Sequence, residues 1–183
     1  IRDWARSRGL GDVYKRQAKY WEIPASDNHG LNGKWKQGPG IPFFEKVFDK
    51  INSKIILAED LGEAYKDAKK IRDVFKIPGM KILQFSFGNG DPYHEMDQNT
   101  VLYTGTHDNS TCIGWFDELL NDKELNSEKN SINLVDEVIK YIDYKPSDLI
   151  HWNMILYAMS SKASYCIIPL QDILGLNDNS RMN

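Results

Sequence analysis

Apolar residues along the chain fall into short runs separated by amphipathic stretches. KIILAED (54–60), KILQFSF (81–87), VLYTGTHD (101–108) and SYCIIPLQDIL (164–174) are apolar and β-branched runs, which predicts strands buried on both faces. Between them, apolar positions recur at helical spacing. Phe44, Val47, Phe48 and Ile51 define one expected helix, and Ala64, Ala68, Ile71 and Phe75 define a second. A long helical region is expected over 111–144 with a break near Asn126. A last helix should open at Pro146 and Ser147 and turn Leu149, Trp152, Ile155, Leu156 and Met159 toward a core. The stretches 27–40 and 88–100 are rich in Gly, Asn, Asp and Pro and read as loops.

Four short strands alternating with helices predict an α/β protein with a parallel sheet. A closed (β/α)8 barrel needs eight strands and about 250 residues. Four strands therefore read as half of a TIM barrel, or as a small doubly wound sheet if the chain is complete. Residues 1–17 stand apart: five Arg or Lys and two Asp are interspersed there without any apolar period. The composition changes at Ala18. The segment reads as adapter-derived or non-native, with a native basic N-terminal arm as the alternative, and 18–183 read as a partial (β/α)8 catalytic domain.

Charge and cysteine content narrow the function classes. A net charge of −3 provides no positive stripe for phosphates, so nucleic acid is not an expected partner. Two cysteines, Cys112 and Cys166, make neither a disulfide framework nor a zinc knuckle and read as small core residues. No apolar run reaches the ~18 residues of a membrane span, so the expected location is the cytoplasm. The four histidines make no pair at ligand spacing, which leaves no metal site expected.

Three of the expected strands end in acids: Glu59 and Asp60, Asp108, and Asp172. In a parallel barrel the strand carboxyl ends open on one face, so these groups would converge. Converging carboxylates without a metal-ligand pattern suit glycoside chemistry, in which one acts as nucleophile and another as acid and then base. Other readings attach to the same residues. Glu59 could be a helix N-terminal charge, and His107 with Asp108 a strand-end turn and helix cap. Trp21, Trp35 and Trp115 could stack on sugars or pack in loops and core.

The segments YWEIPA, ILAEDLG, IPGMKILQFSF, VLYTGTHDN, PLQDILGL and SRMN occur in the order and approximate spacing seen in amylomaltases and plant disproportionating enzymes. From Lys19 to Asn183 the chain resembles the C-terminal part of these 4-α-glucanotransferases. The resemblance implies transfer of α-1,4-glucan segments between malto-oligosaccharides by a retaining double displacement, without a cofactor. It implies that Glu59 is the general acid/base and that Asp108 stabilises the distorted sugar ring in the transition state. It further implies that His107 hydrogen-bonds that ring, that Phe85 offers an apolar platform, and that Asn183 binds substrate. Gln171 and Asp172 fall in a family motif with a supporting role, and Asp60 is implied to be structural.

The chain also departs from the pattern. Where the family carries a nucleophilic aspartate in a segment resembling R-I-D-H-F-R-G-F, this sequence reads GLGDVYKRQ, and Asp12 has neither the leading strand nor the following His-Phe-Arg. The sequence also ends at SRMN, short of the family's terminal stretch. A fragment without its nucleophile is expected to be inactive alone. The alternative reading is a catalytically dead glucan-binding half-barrel.

Overall fold

The computed structural model describes residues 18–51, 56–59, 65–88, 92–93, 96–125 and 129–182. The chain divides into two compact units, 1–80 and 81–183. Asn183, Asp60 and the expected non-native segment 1–17 lie outside the described residues.

The first unit begins with a hairpin of β1 (Lys19–Glu22) and β2 (Lys34–Gln37), paired antiparallel with Trp21 opposite Trp35. This hairpin falls within and just before a stretch expected to be loop. Helices α1 (Gly40–Phe48) and α2 (Tyr65–Phe75) occur where the apolar spacing predicts them. They form because Phe44 and Phe48, one turn apart, meet Phe75 at centroid distances of 5.9 and 5.0 Å. Ala18, Ala58, Ala68, Ile71 and Ile77 complete this small core. Along the solvent face of α2, Lys19 pairs with Asp67 at 2.7 Å and Lys69 with Asp73 at 2.8 Å, and both carboxyls are held below their usual range by those hydrogen bonds. The expected strand KIILAED is not realised in its described part, because residues 56–59 run without ladder bonds; Ala58 N–H donates instead to the Pro78 carbonyl at 2.9 Å.

The chain enters the second unit within β3 (Gly79–Ile82), the first strand of a sheet ordered β3-β4-β5. β4 (Thr100–Tyr103) pairs in parallel with β5 (Tyr165–Ile167), Leu102 opposite Cys166. An α/β architecture with a parallel pair is therefore present, but its strands are shorter than expected. The run 81–87 leaves the sheet after Ile82 and closes into a 3-10 turn over Leu83–Ser86. The run 164–174 is a strand only as far as Ile167. Pro169 cannot donate to a ladder, and α6 (Leu170–Ile173) begins directly after it. Two carboxylates expected at strand ends are thereby re-sited, Asp172 in a helical turn and Glu59 in irregular backbone.

Helices α3 (Cys112–Leu125), α4 (Lys129–Tyr141) and α5 (Ile150–Met159) cover the sheet; the break expected near Asn126 lies outside the described residues. Leu83, Phe87, Leu102, Cys112, Phe116, Val138, Ile142, Met154 and Ala158 form one buried cluster. Truncating such a side chain to Ala typically costs about 2–5 kcal/mol. The inward face of α5 agrees with the expectation at Ile155 and differs at the other four positions. His151, Met154, Ile155 and Ala158 are buried, while Leu149, Trp152, Leu156 and Met159 are exposed. The helix is apolar on both sides, so spacing alone places Ile155 correctly and misplaces the rest of the face. His151 packs against Gly175, whose φ of +63° and proximity to the imidazole exclude any side chain; a Cβ there would lie 2.6 Å from Cε1.

Candidate functional site

At the carboxyl end of β4 the chain makes a tight turn over residues 106–109. Asn109 Oδ1 accepts from the Thr106 backbone N–H at 2.9 Å and from its hydroxyl at 2.6 Å. The Asp108 N–H donates to Thr106 Oγ1 at 3.3 Å. This self-bonded Asx-type turn lifts His107 and Asp108 out of the sheet. Their side chains are 75% and 77% exposed, with Nε2 of the imidazole 3.4 Å from the carboxylate.

Beneath the turn the arrangement is rigid. Asp172, 1% exposed, accepts the Thr104 hydroxyl at 2.6 Å on one oxygen and the Cys112 backbone N–H at 2.7 Å on the other. Asp178 Oδ1 accepts the Thr111 N–H at 2.7 Å. Two carboxylates thus satisfy N–H groups at the start of α3 and complement its dipole. Gln84 donates to the Ser110 carbonyl at 2.8 Å. Burial, reinforced by the Asp172 carboxylate, pushes the Cys112 thiol far above its ordinary range. Burial alone raises Cys166.

Between this turn and the segment after β5 lies a pocket of about 190 Å³. His107, Asn109 and Ser110 line one side, and Gln171, Asp172 and Arg181 the other. Pro169 and Met182 supply apolar surface among these hydroxyl, amide, imidazole and guanidinium groups. Arg181 Nη2 donates to the His107 carbonyl at 3.2 Å, tying one rim to the other.

The residues singled out from the sequence are distributed unevenly around this pocket. His107 lines it; Asp108 and Phe85 do not. Phe85 is 62% exposed on the 3-10 turn of the same unit. Glu59 belongs to the first unit, where it is half-buried. Asn183 lies outside the described residues. Gln171 lines the pocket and also donates to the Ser180 carbonyl at 3.3 Å. Arg181, Asp178 and Thr106 were not anticipated. Arg181 stands in SRMN, the motif noted for Asn183, and its charge beside an otherwise polar stretch was the available signal.

A model of the family described as 4-alpha-glucanotransferase matches residues 17–183. The chain belongs to the 4-α-glucanotransferase family. It is 38% identical to the chloroplastic/amyloplastic 4-alpha-glucanotransferase of Solanum tuberosum over 176 residues, 94% of this chain and 29% of that protein. It is 33% identical to the 4-alpha-glucanotransferase of Thermus thermophilus over 178 residues, 94% of this chain and 34% of that one. Among solved structures, the amylomaltase of Streptococcus agalactiae in complex with acarbose superposes with a TM-score of 0.78 at 27% identity, over 93% of this chain and 33% of that one. The chain spans about a third of the length of the 4-α-glucanotransferases it matches. Among the described residues no helix is long and apolar enough to cross a membrane.

Proposed function

We propose that the 4-α-glucanotransferase to which these residues correspond transfers α-1,4-glucan segments between malto-oligosaccharides by a retaining double displacement in the cytoplasm, with no cofactor. Glu59 protonates the departing glycosidic oxygen and then deprotonates the incoming sugar hydroxyl. Asp108 stabilises the oxocarbenium-like ring, His107 and Asn183 hydrogen-bond its hydroxyls, and Phe85 stacks on an adjoining sugar. The architecture that this reading requires is the C-terminal half of a (β/α)8 barrel, with 1–17 as a segment foreign to it.

The observation that supports this most is the THDN turn at the carboxyl end of β4: it presents His107 beside a pocket of mixed apolar and hydrogen-bonding groups, the mixture a sugar ring and its hydroxyls require, in a chain of this family. The exposure of Phe85 in the same unit fits a stacking platform. We further propose that the 183 residues alone do not turn over glucan, a reading supported by GLGDVYKRQ, whose Asp12 lies at roughly the nucleophile's distance from YWEIPA but without the His-Phe-Arg that follows it in the family. That departure favours a second reading for the isolated chain, glucan binding without catalysis.

Titration calorimetry with maltoheptaose, run alongside a glucose-release assay, separates the readings. Binding without release is expected of this chain. Release by these residues alone overturns the missing-nucleophile reading, and absence of binding removes the binding-module reading. In a longer chain that restores the nucleophile segment, Glu59→Gln should lower transfer by two or more orders of magnitude.

A further inference from the structure

We propose that Arg181 is a positioning residue for the His107–Asp108 turn, a role that rests on the reading of this turn as the sugar-binding edge. The turn is braced internally through Thr106 and Asn109, but those bonds fix its shape and leave its placement over the pocket to other contacts. The segment after α6 supplies such contacts at two points. Asp178 holds the Thr111 N–H on the chain leaving the turn, and three residues later the Arg181 guanidinium takes the His107 carbonyl at the tip.

The spacing of the two holds follows from the local backbone. Asp178–Ser180 form a 3-10 turn, fixed by the Arg181 N–H donating to the Asp178 carbonyl at 3.0 Å and by Gln171 on the Ser180 carbonyl. Asp178 in turn sits directly over Gly114, where a Cβ would lie 2.3 Å from its carboxylate oxygen. Glycine at 114 is therefore a condition for the first hold, and the first hold sets the origin of the second. Arg181 also carries a buried Nε–H with no hydrogen-bond partner among the described residues. Such a group is costly, and it is retained where the rest of the side chain is required in place. No carboxylate pairs with Arg181 among the described residues, and its guanidinium is bonded to the turn rather than held in a structural ion pair.

The consequence is that Arg181 acts through His107 and Asp108. Its removal should weaken maltoheptaose binding to this chain about tenfold, the scale of one hydrogen bond from a charged group. Arg181→Lys, which keeps one donor, should recover most of that loss. In a background carrying His107→Ala and Asp108→Ala, Arg181→Ala should add nothing further, because the groups it positions are gone. A full tenfold loss persisting in that background overturns the proposal, since Arg181 would then contact sugar itself or act elsewhere.

If the unaltered chain shows no affinity for maltoheptaose, it is the glucan reading that fails, and amide hydrogen exchange decides the role of Arg181. Exchange at Asp108 and Asn109 should quicken in Arg181→Ala and return in Arg181→Lys, with Thr111 and Cys112 unchanged; equal exchange in all three chains overturns it. Should Arg181→Ala fail to fold, Gly114→Ala displaces Asp178 and must quicken exchange at Thr111 and Asp108 together. No change at Asp108 there again refutes the clasp.

Discussion

Asp172 and Asp108 were singled out by the same rule, as carboxylates at the ends of apolar strands, and the fold treats them in opposite ways. Asp172 is buried and spends both oxygens on protein donors, one a hydroxyl and one a helix N-terminal amide. Asp108 projects into solvent with His107 at its side. A carboxylate that gives each oxygen to a protein donor, as Asp172 does at the floor of the pocket, holds the site's frame, whereas Asp108, outside the pocket lining, keeps its oxygens at the surface. Burial and hydrogen-bond satisfaction, neither of which is written in a motif, separate the two roles.

The sharpest way to break this comparison is to remove Asp172. Asp172→Ala strands the Cys112 N–H and the Thr104 hydroxyl in the interior and should cost roughly 3 kcal/mol, read as a lower urea midpoint. A loss under about 0.5 kcal/mol would mean that the buried carboxylate is no more structural than the exposed one. Gly175→Ala attacks the same hub from behind. It adds a side chain at φ +63° against the buried His151 ring, and a loss of about 2 kcal/mol is expected by the same measurement.

A smaller effect reports the electrostatics of the hub. Folding raises the Cys112 thiol, so below the unfolded value of about 8.5 both states hold the proton and stability does not depend on it. Above that pH the unfolded chain releases the proton and the folded one keeps it, so stability falls by about 1.4 kcal/mol per pH unit until the folded thiol titrates. Urea unfolding between pH 8 and 10 should show this alkaline slope, and Cys112→Ala should remove most of it. Cys166, raised by burial alone, contributes in the same direction, so a remnant slope is expected in that variant. A profile that Cys112→Ala leaves unchanged would mean that the thiol is not shielded as the structure indicates.

Much of this was legible in the sequence where one pattern has one structural solution. The spacing of Phe44 and Phe48, and of Ala68 and Ile71, gave α1 and α2, because only one face of each helix can be buried. Within 111–144 the helices Cys112–Leu125 and Lys129–Tyr141 were likewise legible as helical, while the break near Asn126 lies outside the described residues. Legibility failed where a pattern has two solutions or none. The β1–β2 hairpin is mostly solvent-exposed, so KYWE and KWKQ carry no alternation between a buried and an open face. In α5 both faces are apolar, and tertiary packing chose the one with His151. In 164–174 the β-branched run concealed the stop that Pro169 imposes. At the site, the THDN motif marked the turn, but the partners that build the pocket arrive from 60 to 74 residues away. The charge of Arg181 in SRMN marks the residue but not its distant partner, and nothing local to Asp178 reports its contact.

The last test addresses the exposed half of the comparison, and its expected effect on stability is the smallest. The Asp108 side chain is 77% exposed and the turn is held through its backbone and through Asn109, so Asp108→Ala should change stability by less than about 0.5 kcal/mol. On the proposed role its effect on glucan affinity should be larger than its effect on folding, because a carboxylate bonded to sugar hydroxyls contributes hydrogen bonds that water alone must otherwise replace. Asp108→Asn keeps one acceptor and should fall between. Measured together, urea midpoints and maltoheptaose affinities for Asp108→Ala and Asp172→Ala should move along different axes, the first in binding and the second in stability. If Asp108→Ala lowers stability and leaves affinity alone, the exposed carboxylate is a turn-former, and the division between a structural and a ligand-facing acid in this unit fails.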